Sequence, residues 1–141
     1  CIPADDPNTE PSLVIPRVEG VQYAVDHRDD EFWIVSNRDA EDGQLLRVPV
    51  AGGEPTVVLA HKPGSKLETP DCFSGHVVVW GRHDGLPAVL IVDPHTASAS
   101  YLEFDEAVYD VVAGANYEFD SIDVVHGPGT ENAIVVSTYT P

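Results

Sequence analysis

Apolar and polar positions alternate along this chain in short runs, each closed by Gly, Pro, Asp or Asn. Val21 to His27 (VQYAVDH) alternates as a half-buried strand does, and Glu31 to Asn37 (EFWIVSN) is a dense run of β-formers beyond the charged turn Arg28-Asp29-Asp30. Gln44 to Val50 and Glu54 to Ala60 read as two strands around the turn Ala51-Gly52-Gly53. Leu67 to Phe73 is a shorter strand that leads into the strongest local signal. There His76 to Arg82 and Pro87 to Val92 flank His83-Asp84-Gly85, an Asp-Gly step of the kind tight hairpins favour because Gly tolerates positive φ. Further strands are predicted over Ser12 to Ile15, Ser98 to Phe104, Ala107 to Ala113, Tyr117 to Val125 and Ala133 to Tyr139. No apolar i, i+3, i+4, i+7 stripe persists for more than two turns, so the chain is read as all-β.

The pattern repeats. Pro3, Pro49 and Pro94 each follow a strand end and precede another strand, at intervals of 46 and 45 residues. EFWIVSN and HVVVWGR, both strands with a tryptophan, start 45 residues apart. A unit of that length holding short antiparallel strands is the blade of a β-propeller, whose faces are buried by stacking on neighbouring blades. The expected fold is a partial propeller of four-stranded antiparallel blades, about three blades' worth. Residues 1–16 form the outer half of one blade, 17–61 and 62–106 two whole blades, and 107–141 the first half of another. An immunoglobulin-type sandwich would also be all-β, but it would not repeat on this period.

Composition narrows the function classes. With 141 residues and 43% hydrophobic positions, the chain can bury a core despite a net charge of -17. That charge disfavours nucleic-acid partners, whose phosphates would meet carboxylates, and suits basic peptides. No apolar run is long enough to span a membrane as a helix. Cys1 and Cys72 make no disulfide framework, so a reducing cytoplasm is the expected compartment. There is no methionine, which favours a segment of a longer protein; a lipid-modified Cys1 is the alternative.

Gly20-Val21-Gln22-Tyr23-Ala24-Val25-Asp26-His27 with Phe32-Trp33-Ile34-Val35-Ser36-Asn37 resembles a propeller blade of the prolyl oligopeptidase family of serine peptidases, in its oligopeptidase B (protease II) branch. The likeness continues through Val77-Val78-Val79-Trp80, Gly81-Arg82-His83-Asp84-Gly85-Leu86-Pro87, Phe104-Asp105-Glu106-Ala107-Val108-Tyr109, Gly114-Ala115-Asn116 and Ser137-Thr138-Tyr139-Thr140-Pro141. The loop at Gly127-Pro128-Gly129 is longer than the family pattern. The resemblance implies a propeller that caps an α/β-hydrolase domain, admits short peptides and excludes folded proteins. It also implies a parent enzyme that cleaves after Arg and Lys. The partner would be the catalytic domain of the same parent chain. The alternative is an independent binding or scaffold propeller, its ring completed by further blades or by self-association through exposed blade edges.

Catalytic chemistry is not legible in this segment. A serine hydrolase of this kind needs a Gly-x-Ser-x-Gly elbow, and Gly64-Ser65 and Ser74-Gly75 lack the flanking glycines. The histidines His27, His61, His76, His83, His95 and His126 have no zinc-type spacing, and Asp29-Asp30-Glu31 and Asp39 to Gly43 lack the alternation of a calcium loop. No cofactor or metal is therefore expected. Trp33 and Trp80 are assigned to packing between blades. The innermost strand of a blade lines the central channel, which makes Tyr23, Asp26, Tyr109 and Asp110 the channel-lining candidates.

Overall fold

The computed structural model describes residues 1–3 and 6–113, and the backbone of residues 121–125 and 133–138. Two four-stranded antiparallel sheets carry the architecture. The first is β1 (Tyr23–Arg28), β2 (Glu31–Ser36), β3 (Gln44–Pro49) and β4 (Thr56–Leu59), and the second β5 (Ser65–Cys72), β6 (Val77–His83), β7 (Leu86–Val92) and β8 (Ala99–Tyr101). Each is a meander with its strands in chain order. A separate pair, β9 (Ser121–Val125) and β10 (Ala133–Thr138), follows. No helix occurs among the described residues, and the chain is a partial β-propeller.

The hairpin turns explain why the strands pair where they do. His83 pairs with Leu86, and Asp84 and Gly85 between them have φ of 50° and 85°. Two consecutive left-handed residues make the primed turn whose twist matches that of the flanking strands. Asp29, with φ of 53°, opens the equally short turn between Arg28 and Glu31.

Strand alternation then distributes the core over both faces of each sheet. Trp33, Val35 and Leu45 of the first sheet meet Val77, Val79, Leu90 and Val92 of the second in one buried cluster. On the opposite side of the first sheet, Ile34, Leu46 and Val48 are covered by Val14 and Ile15. On the far side of the second, Val78, Trp80 and Val89 pack with Phe73 and Val111. Burial on both faces is why β2 and β6 read as apolar runs rather than clean alternations. Trp33 lies in the packing between the sheets, as expected. Trp80 points the other way from Val77 and Val79, towards the segment after β8.

Two predicted strands are not strands. Ser12 to Ile15 has no ladder among the described residues; its backbone exchanges hydrogen bonds with Cys1, the Ser12 N–H donating to the Cys1 carbonyl at 2.9 Å. Pro11 and Pro16, which bracket it, have no N–H to donate, and Ile15 is buried by packing on the sheet face instead. Ala107 to Ala113 is also irregular. Its apolar residues divide between a buried Val111 and exposed Val108 and Val112, and it finds no partner strand among the described residues. Ser98 to Phe104 shortens to β8, because Leu102 and Phe104 turn in against the second sheet. Of Tyr117 to Val125, residues 117–120 lie outside the described residues, as does Tyr139 of the last predicted strand.

The repeat recurs in strand register. Val77 faces Val92 across β6 and β7, and Ile122 faces Ser137 across β9 and β10, each partner displaced by 45 residues (122 − 77 and 137 − 92). Strands β9 and β10 thus repeat the central hairpin of the second sheet.

Candidate functional site

The joint between the sheets is built from their first strands. β1 and β5 are edge strands, and β5 contacts both β1 and β2 of the preceding sheet. Polar side chains of β1 reach across this joint. Asp26 accepts from the N–H of its neighbour His27 at 2.8 Å through Oδ1, and from the Cys72 N–H at 2.6 Å through Oδ2. Arg28 donates through Nε to the Phe73 carbonyl at 3.1 Å and through a terminal nitrogen to the Ser74 carbonyl at 2.8 Å. Its other terminal nitrogen pairs with Asp29 at 2.7 Å. Two charged side chains thereby hold the end of β5 and the turn into β6, satisfying backbone groups at a sheet edge.

The electrostatics of the joint follow from partial burial. Burial pushes the Asp71 carboxyl above the usual carboxylate range and the neighbouring Asp26 charge pushes the same way, while the hydrogen bond from Trp80 Nε1–H opposes them. Burial, followed by Asp26, raises the Cys72 thiol far above its ordinary value, which makes it a poor nucleophile. His76, stacked on Phe73 with ring centroids 5.1 Å apart, is held below the usual imidazole range by burial.

Two grooves flank the inner strands. One, of about 380 Å³, runs between the sheets past Tyr23, Val35, Asp42, Lys66 and Leu67. The other, of about 270 Å³, passes Glu68, Trp80, Pro87, Val111 and Val112, residues that stand 45 positions further along (68 − 23, 80 − 35, 87 − 42, 111 − 66, 112 − 67). The irregular segment 110–113 therefore occupies the place that the start of β5 takes one unit earlier. Gly43 shows how closely the first groove's walls meet: a Cβ there would lie 2.9 Å from the Leu67 carbonyl oxygen.

The four channel candidates separate into two pairs. Tyr23 and Asp26 sit together on β1, where Tyr23 lines the first groove and packs beside the cluster under the first sheet, and Asp26 is engaged by Cys72. Tyr109 and Asp110 lie beyond the second sheet, Tyr109 against Phe104 at 4.2 Å and Asp110 exposed along the second groove. The sequence assigns no site role to Arg28, Asp71 or Cys72. The available signal was the repeat itself, since Asp71 stands 45 residues after Asp26.

One constellation imitates a catalytic set. Ser65 Oγ lies 2.9 Å from His83 Nδ1, and His83 Nε2 lies 3.6 Å from Asp84. Ser65 is only 4% exposed and sits at the start of a strand, and the His83 ring is stacked on Tyr101 at 4.5 Å. A nucleophile must meet its substrate, and this hydroxyl is closed off from it. The set fastens β5 to β6.

Stacked meanders that share buried faces define a β-propeller segment. The sequence pattern of the prolyl oligopeptidase N-terminal β-propeller domain matches residues 1–125, and the chain belongs to that family. Protease 2 of Moraxella lacunata is 28% identical over 125 residues, covering 88% of this chain and 18% of that protein. The human prolyl endopeptidase-like protein is 31% identical over 88 residues, 58% of this chain and 12% of its own length. Among solved structures, Trypanosoma brucei oligopeptidase B with covalently bound antipain, in its closed form, superposes with a TM-score of 0.71 at 21% identity, covering 90% of this chain and 22% of that one. Oligopeptidase B from Leishmania major gives 0.69 at 19% identity, with the same coverage. The chain thus spans less than a fifth of the length of the curated relatives it matches.

Proposed function

We propose that this chain is the non-catalytic propeller segment of an oligopeptidase B-like serine peptidase, controlling which substrates reach a catalytic α/β-hydrolase domain of the same polypeptide. The family match across residues 1–125 carries this reading. The stacked sheets support it mechanically, because a wall of blades joined at their inner edges admits an extended peptide and turns away a folded protein. The net charge of -17 supports short basic peptides as the substrate class, with cleavage after Arg or Lys. The cytoplasm is the proposed compartment. The outer edges of β4 and β8 would let the isolated chain self-associate, which size-exclusion chromatography at low and high salt reads directly.

The test uses the full-length parent polypeptide. It is expected to cleave short Arg- and Lys-containing peptides, to leave Ala-substituted peptides and folded proteins intact, and to lose activity when its elbow serine is replaced. Equal rates on folded and short substrates would overturn the access role. A parent without a Gly-x-Ser-x-Gly elbow would overturn the peptidase reading.

A further inference from the structure

The turn between β5 and β6 carries a histidine that the proposed function does not use. The Phe73 N–H donates to the His76 carbonyl at 2.9 Å, which closes the turn, and the imidazole lies nearly parallel to the Phe73 ring at 20°. Its Nε2 is buried and has no hydrogen-bond partner among the described residues. The same turn offers the Phe73 and Ser74 carbonyls that Arg28 grips from the preceding sheet.

We propose that His76 is an acid-sensitive latch on the joint between the two sheets: protonation of its imidazole drives the ring off Phe73 and releases the turn from Arg28. Among the described residues, no carboxylate around the turn is hydrogen-bonded to or ion-paired with the His76 imidazole. Arg28, from β1, is itself a cation committed to the turn's carbonyls. Asp26 is engaged by the Cys72 N–H, and Asp71 on β5 by the Trp80 indole. Attraction of a cation to the Phe73 face favours the stacked ring, whereas burial disfavours the charged form and holds the His76 imidazole below its usual range. The sign follows. A group whose native pKa lies below its free value costs the closed state stability as pH falls through that free value, here 6.5. Each pH unit below 6.5 multiplies the opening constant by up to about tenfold, until the closed form is protonated too.

Hydrogen exchange of the 141-residue chain tests this, with the Phe73 amide as reporter and intrinsic rates corrected for pH. Between pH 8 and pH 5.5 its opening constant is expected to rise by up to about tenfold. His76→Gln should abolish the rise, whereas His95→Gln, at an exposed position, should keep it. An unchanged opening constant in the wild type, or the same rise in His76→Gln, overturns the latch. Should His76→Gln fail to fold, the wild-type His76 imidazole resonances decide: they must titrate below the free value of 6.5, and titration at or above it refutes the proposal.

Discussion

Arg28→Ala is the sharpest probe of how the two sheets are joined. The side chain is 13% exposed and spans the joint to two carbonyls of the next sheet. A hydrogen bond to a charged group contributes about 1.5–3 kcal/mol when its partner is left unsatisfied. The two carbonyls differ in what happens next. Ser74 is exposed and regains water, so its loss is about 0.5 kcal/mol, whereas Phe73 is buried and its carbonyl costs about 1.5 kcal/mol. Lost packing of the aliphatic stem adds about 0.5 kcal/mol, for a total near 2.5 kcal/mol. With a urea dependence of about 2 kcal/mol per molar, the midpoint should fall by roughly 1 M. Tryptophan fluorescence reads the transition, because Trp33 is buried between the sheets. Arg28→Lys should recover less than half of the loss, since one ammonium cannot reproduce the guanidinium fork. Asp29→Asn removes only a 73% exposed ion-pair partner and should change stability by less than about 0.5 kcal/mol. A midpoint for Arg28→Ala within about 0.2 M of wild type, or full recovery by lysine, would refute the bridging role.

Three further substitutions test the second sheet. Gly81→Ala would place a Cβ 2.0 Å from the Lys66 carbonyl oxygen, opposite the register shift between Leu67 and Thr69, and should destabilise by about 2–4 kcal/mol. Gly75→Ala, with nothing within 4 Å, should shift thermal unfolding little; equal effects at the two sites would contradict the close approach of β5 and β6. Asp71→Asn tests a carboxyl whose native pKa is raised. Such a group costs stability at neutral pH, and the cost disappears as pH falls through the native value towards 3.8. The variant should therefore be more stable than wild type at pH 7, keep an acceptor for Trp80, and lose its advantage in acid; an advantage independent of pH rules out the titration.

The 45-residue spacing of proline-marked strand ends and tryptophan-bearing strands was enough to predict a partial propeller, and the family likeness lay in residue runs such as Gly20 to His27 and Phe32 to Asn37. Those features are local. A period-two alternation sets which side chains share a face, and an Asp-Gly step sets where a hairpin closes. The central strands β2, β3, β6 and β7 were legible for this reason. Tertiary structure decided whether the flanking segments had partners. Ser12 to Ile15 and Ala107 to Ala113 have strand-like composition, yet a strand exists only where another backbone completes its ladder; among the described residues neither segment has such a partner, and each uses apolar residues to cover a sheet face. The joint was likewise hidden. Arg28 reads in sequence as part of a charged turn, and only the approach of β1 to β5 turns its guanidinium on the Phe73 and Ser74 carbonyls, 45 and 46 residues away. Periodicity determined the blades, and the contacts between blades, which join residues distant in sequence, were decided only when the sheets packed.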